Sequence, residues 1–183
     1  MSRSPAGRTA PPRSHSPTDA LLSALGAALI VLVPGLAALA TGRVLLFPSL
    51  GPSALHQALT PEHPSSRAYN VLVAHLLGVA CGFAAVYAFG LVDAPSVFVA
   101  KSVTAAHVGA AVTAVAAATL LEIALHATHP PAASTTLLIT LGTFKPTAGD
   151  VTALLLGVLI VAVVGELCRR LRLRQPHQHE PRD

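Results

Sequence analysis

A chain of 183 residues with 52% hydrophobic side chains, 11% charged ones and a mean hydropathy of +0.63 carries too much apolar mass for a water-soluble domain of this size, so a lipid bilayer is its expected solvent. The formal charge of +4 does not indicate nucleic acid, because between Ala20 and Cys168 the basic Arg43, Arg67, Lys101 and Lys145 are outnumbered by Glu62, Asp93, Glu122, Asp150 and Glu166. The excess sits at the ends, in Arg3, Arg8 and Arg13 and in Arg169, Arg170, Arg172 and Arg174, which predicts both termini on the cytoplasmic side of the cell (inner) membrane and an even number of crossings.

In chain order, residues 1–19 form a basic tail rich in Ser, Pro and Arg, expected to be disordered. Ala20 to Ala40 follows as the first span, too long for the apolar region of a signal peptide. Further spans are predicted at Val71–Val92, Ser102–Leu125 and Val151–Cys168, ahead of a polar basic tail at 169–183. Two apolar stretches remain, Val44–Leu59 and Pro131–Phe144. Helices of about 14 residues reach only about 21 Å, so neither crosses the hydrocarbon alone. The predicted fold is therefore an all-α integral membrane protein, with four full transmembrane helices and two short Pro-started half-helices in a 20–168 domain. "GPSALHQAL" from Gly51 aligns with "HPPAASTTLL" from His129, and each half reads long span, short segment, long span. That is the hydropathy symmetry of an internal duplication. If the short segments re-enter from one side, the halves are parallel; if they cross, six crossings result and the halves are inverted.

Proline suits the first turn of a helix, so Pro52 and Pro131 are expected to open the two short helices with unpaired N–H groups directed inward. Such ends, with the positive pole of the helix dipole, suit an anion. Ser53, Ser134, Thr135 and Thr136 fall in the first turns and can donate hydroxyls, although such residues also bond back to their own helix. Imidazoles at membrane depth are functional candidates by default, and His75 and His129 are the two favoured; His56 lies in the first short helix, and His107 is read as a hydrogen-bond tie between helices. Glu122, His126 and His129, spaced by four and three, would share a face if the helix continued, half of a metal site; Pro130 argues against that continuation. Asn70 and Asp150 read as N-caps, and Gly78 and Gly82 as a close-contact pair. Cys81 and Cys168 lack the spacing of a disulfide framework.

The block "HPPAASTTLL", His129 to Leu138, and the upstream "FPSLGPSALHQALTPEHPSSRAYNVLVAHLLG", Phe47 to Gly78, resemble the HPP family of integral membrane proteins, over about Ala20 to Cys168. The resembling residues are His129, Pro130 and Pro131, the turn of Gly51, Ser53 and Ala54, and the pair Asn70 and His75. Two departures stand out: Tyr69 replaces an Arg before the Asn, and Ala133 replaces a Gly. Members have been linked to nitrite transport across plastid and cyanobacterial membranes, so the resemblance implies an anion permease.

No Walker loop, GxGxxG, GxSxG, HExxH or cysteine cluster is present, so a protein that is not an enzyme, without cofactor or metal, is expected. The leading reading is a transporter or channel for a small, nitrite-like inorganic anion. Its site residues are Ser53, Asn70, His75, His129, Pro130, Pro131, Ser134, Thr135 and Thr136, and its expected partners are the lipid bilayer, the anion and further copies of itself in a homo-oligomer. The alternatives are an intramembrane metal enzyme using Glu122, His126 and His129, and a non-catalytic membrane subunit.

Overall fold

The computed structural model describes residues 16–174; Arg3, Arg8, Arg13 and the predicted tail beyond Arg174 lie outside the described residues. Among the described residues there are seven α-helices and no strand. They are α1 (Pro17–Thr41), α2 (Leu50–Leu59), α3 (Ala68–Ala88), α4 (Val97–Ala100), α5 (Ala105–Ala124), α6 (Ala132–Thr140) and α7 (Ala148–Arg174), with a 3-10 turn at Pro64–Ser66 between α2 and α3. Helices α1, α3, α5 and α7 are long and apolar enough to cross a membrane. The leucines at 21, 25, 32, 36 and 39 of α1 point outward, as side chains in contact with lipid do.

Local chemistry sets the helix ends. The Ser16 side chain accepts the N–H of Asp19 and Pro17 takes the first helical position, where the missing N–H costs nothing. At the far end Gly42 adopts φ 66°, the left-handed cap that a Cβ disfavours. Thr104 caps α5 by accepting the N–H of His107, and its hydroxyl also meets the His107 ring at 2.7 Å. His107 therefore closes its own helix start and does not tie two helices together. Asn70 and Asp150 are not caps either. α3 begins at Ala68, whose N–H goes to the Glu166 carboxylate of α7, and Asp150 sits inside α7 and accepts the N–H of Lys145. α7 also continues through residues 169–174, which the sequence places in the tail.

Polar contacts show which way each helix runs. Arg172 at the end of α7 bonds Asp19 and Ser23 at the start of α1. Arg169 donates to the Pro61 carbonyl just past α2. The Tyr69 hydroxyl and the Asn70 amide, at the start of α3, donate to carbonyls of Leu125, His126 and Thr128 just past α5. Both described chain ends thus share one end of the bundle, the terminal end. At the opposite end Lys145 donates to the Val92 and Ala94 carbonyls past α3, and the Val97 N–H to the Leu141 carbonyl past α6.

The short helices therefore carry the chain between the two ends, with help from extended segments. Residues 42–49 run inward from the opposite end along α7, where the Leu45 carbonyl lies 2.6 Å from where a Gly157 Cβ would stand. α2 then completes the passage. Residues 125–131 run inward from the terminal end, and α6 completes the second. The chain makes six alternating passages, and the two halves are inverted. The neighbours obey the same symmetry: α1 lies on α2 as α5 lies on α6, α2 on α7 as α6 on α3, and α1 on α7 as α5 on α3, with α3 against α7 at the centre. The buried apolar core includes Ile30, Phe47, Leu50, Ile139, Phe144, Leu154 and Val158.

Candidate functional site

The two half-helices begin part-way through the bundle and face each other there. Ser49, in the cap position of α2, has its Oγ 2.7 Å from the Oγ1 of Thr135 in the first turn of α6. Thr135 Oγ1 is 2.7 Å from His75 Nδ1 on α3. His75 Nε2 is 2.9 Å from the Ser53 Oγ of α2, and Ser53 Oγ is 3.0 Å from His129 Nε2. His129 Nδ1 donates over 2.8 Å to the Ser65 carbonyl, and the His129 N–H donates to the Glu122 carboxylate. Ser49, Ser53, His75, His129 and Thr135 are all wholly buried. Unpaired polar groups in such a place are expensive, and here each finds its partner in the next.

Toward the terminal end the polar groups continue. His56 and His63 both bond the Ser65 hydroxyl. The His56 ring meets the His129 ring edge-on, with centroids 5.6 Å apart, and the His75 and His129 centroids are 5.5 Å apart. Toward the opposite end the lining is apolar, and Phe47 meets Phe144 edge to face with centroids 5.4 Å apart.

Small residues allow this approach of helices. A Cβ on Gly78 of α3 would fall 2.7 Å from Thr136 Oγ1 and 3.2 Å from the Ala132 carbonyl of α6, and one on Gly82 would press on Ile139 at 3.1 Å. The two glycines read from the sequence as a contact pair therefore seat α6.

Of the residues singled out in the sequence, Ser53, His75, His129 and Thr135 come together. Asn70 instead holds the strap that leads into α6, through carbonyls of His126 and Thr128. Pro130 is exposed and Pro131 half-buried in the cap position of α6. Ser134 is half-buried beside the cluster, while Thr136 is buried against Gly78 with its hydroxyl unpartnered among the described residues. Tyr69 reaches the Leu125 carbonyl with its hydroxyl.

Two expectations need correction, and the conditional shared face of Glu122, His126 and His129 is not formed. α2 starts at Leu50, so Pro52 lies within its first turn, exposed, and does not open it. The first amides of α6 are not free: those of Ala132, Ala133 and Ser134 donate to the carbonyls of His129, Pro130 and Pro131, because the His-Pro-Pro segment curls into a tight turn that supplies acceptors. Glu122, His126 and His129 do not share a face, since α5 ends at Ala124 and His126 turns outward at φ 53°.

Sequence reasoning passed over Ser49, Ser65 and His63. One signal was present, because "HPS" at His63–Ser65 echoes "HPP" at His129–Pro131, and both imidazoles end on Ser65.

Residues 12–178 match the HPP transmembrane region, which covers every element of this arrangement. The chain belongs to the HPP transmembrane family. Comparison with curated proteins and with solved structures finds no match. The HPP signature thus coincides with the strap and turn that place His129 in the centre of the bundle.

Proposed function

We propose that this HPP protein is a transporter or channel for a small inorganic anion of nitrite-like size, and not an enzyme. The observation that carries the reading is the meeting of two inverted half-helices inside the bundle, their starts joined through Ser49 and Thr135 and surrounded by Ser53, His75 and His129. Inverted repeats with broken helices whose amino ends converge on a central site are a recurring transporter design. The positive ends of the two helix dipoles favour an anion, and the donors offered to it are hydroxyl and imidazole groups. The cluster is buried from both ends, with polar groups between it and the terminal end and the Phe47–Phe144 contact on the other side.

The arginines at 169, 170, 172 and 174 on the terminal end support a cytoplasmic placement of both termini in the cell membrane. A metal enzyme is disfavoured by the outward turn of His126 and by the use of Glu122 on a backbone N–H. The test is uptake of nitrite, nitrate, formate and chloride into vesicles holding the purified protein. Saturable uptake of one of them above empty vesicles is expected; uptake of none would remove the proposal.

A further inference from the structure

The hydrogen-bond chain at the centre has a direction, and one atom sets it. The Ser65 carbonyl has lone pairs and no hydrogen, so His129 must carry its hydrogen on Nδ1. A neutral His129 then has a bare Nε2, and the Ser53 hydroxyl fills it by donating over 3.0 Å, a closer approach than its 3.3 Å to the Ser49 carbonyl. Having used its one hydrogen, Ser53 accepts from His75, so His75 carries its hydrogen on Nε2. The bare Nδ1 of His75 takes the Thr135 hydroxyl, whose oxygen in turn accepts from the Ser49 hydroxyl. With the Ser53 hydrogen on His129, the two histidines are opposite tautomers.

A proton delivered at Ser49 has one path through this chain. It bonds to the Ser49 oxygen as the Ser49 hydrogen moves to Thr135, that of Thr135 to His75 Nδ1, that of His75 Nε2 to Ser53, and that of Ser53 to His129 Nε2. One O–H or N–H bond forms for each that breaks, with no net change at Ser49, Thr135 and Ser53. The result is an imidazolium at His129, a neutral His75 with its hydrogen moved to Nδ1, and every hydroxyl turned the other way. Ser49 now directs its hydrogen away from Thr135.

We infer that Ser49, Thr135, His75, Ser53 and His129 form a one-proton relay with Ser49 as its mouth and His129 as its store, so that an acid reaching the two helix starts leaves its anion at Ser49 and its proton on His129. The polarity of the relay stands on the geometry alone; its coupling to an anion rests on the permease reading above. The substrate class is then a small weak acid, or its anion moving with one proton. The ionisable groups around the store are His75 on α3, His56 on α2, His63 beside Ser65, and Glu122 on α5, which accepts the His129 N–H. On α7, Glu166 is bonded to Arg169 and Arg170.

Nitrogen-15 NMR of histidine-labelled full-length protein in lipid bilayers, assigned with His75→Gln and His129→Gln, reads the tautomers directly. Near neutral pH, His129 should show Nδ1–H and His75 Nε2–H. On acidification His75 should change to Nδ1–H in the same step that protonates His129, and Ser53→Ala should abolish that link. His75 already in the Nδ1–H form, or keeping its tautomer while His129 gains a proton, would overturn the relay; the wild-type titration decides this even if the variant does not fold. In vesicles with an internal pH dye, one proton should enter per nitrite. Nitrite uptake without a proton overturns the relay and spares the permease, whereas a coupled tautomer change with no uptake of any anion supports the relay and removes the permease.

Discussion

His129 is held at three atoms: its N–H by Glu122, its Nδ1 hydrogen by the Ser65 carbonyl and its Nε2 by Ser53. Glu122 serves as a hydrogen-bond acceptor for a backbone amide, so a neutral side chain that accepts equally well should replace it. Glu122→Gln is expected to keep the fold and vesicle uptake close to wild type, whereas Glu122→Leu leaves a buried N–H unpaired and should cost about 1–3 kcal/mol, read as a lower melting temperature. Severe loss in the Gln variant would instead require the charge. Ser53 is the junction of two imidazoles, and Ser53→Ala leaves both Nε2 atoms without a partner. Its stability cost falls in the same range of about 1–3 kcal/mol, and uptake should drop by roughly tenfold or more, since about 1.4 kcal/mol is a factor of ten. His75 and His129 could be singled out in the sequence because an imidazole in an apolar span is rare. Ser49 could not, because a serine in an apolar segment is commonly bonded to its own helix, and only the crossing of α2, α3 and α6 shows otherwise.

The half-helices depend on how closely they approach the long ones. α6 rests on Gly78 and Gly82 of α3, and Gln57 of α2 lies where a Gly165 Cβ would project from α7. At Gly78 the obstacles are Thr136 Oγ1, on a β-branched side chain with few helical rotamers, and the Ala132 backbone carbonyl, which cannot swing aside. Gly78→Ala should therefore destabilise by about 1–3 kcal/mol through overpacking and reduce uptake by moving Thr135 off His75; thermal melting and vesicle uptake check both. A wild-type melting temperature in that variant would mean that α6 has room to shift. The shortness of α2 and α6 was readable from length against bilayer thickness. Their starting residues were not. Proline marks a first turn without fixing which residue begins it, and the amides expected to be free at α6 are taken by carbonyls of the turn formed by the two prolines themselves.

Across the whole molecule, six alternating passages set Arg43 and Lys101 at one end and Glu62 and His126 at the other, and all four side chains are exposed. Single cysteines at these positions, after Cys81 and Cys168 have been replaced by Ala, should label from opposite sides of a membrane in those two pairs. Labelling of positions 43 and 62 from the same side would mean that α2 re-enters, and would overturn the inverted arrangement. Apolar composition, segment lengths and the placement of arginines were sufficient to determine a helical membrane protein with four long spans and two short segments, because desolvating backbone in lipid permits little else. The HPP blocks pointed to the region where the buried polar cluster forms. What only the tertiary structure decided is the hand of the duplication and the membership of the central cluster. Segment hydropathy is the same whichever way a short helix points, and hydrogen bonds such as Ser49 to Thr135, 86 residues apart, follow from helices crossing in space, which one-dimensional spacing does not encode.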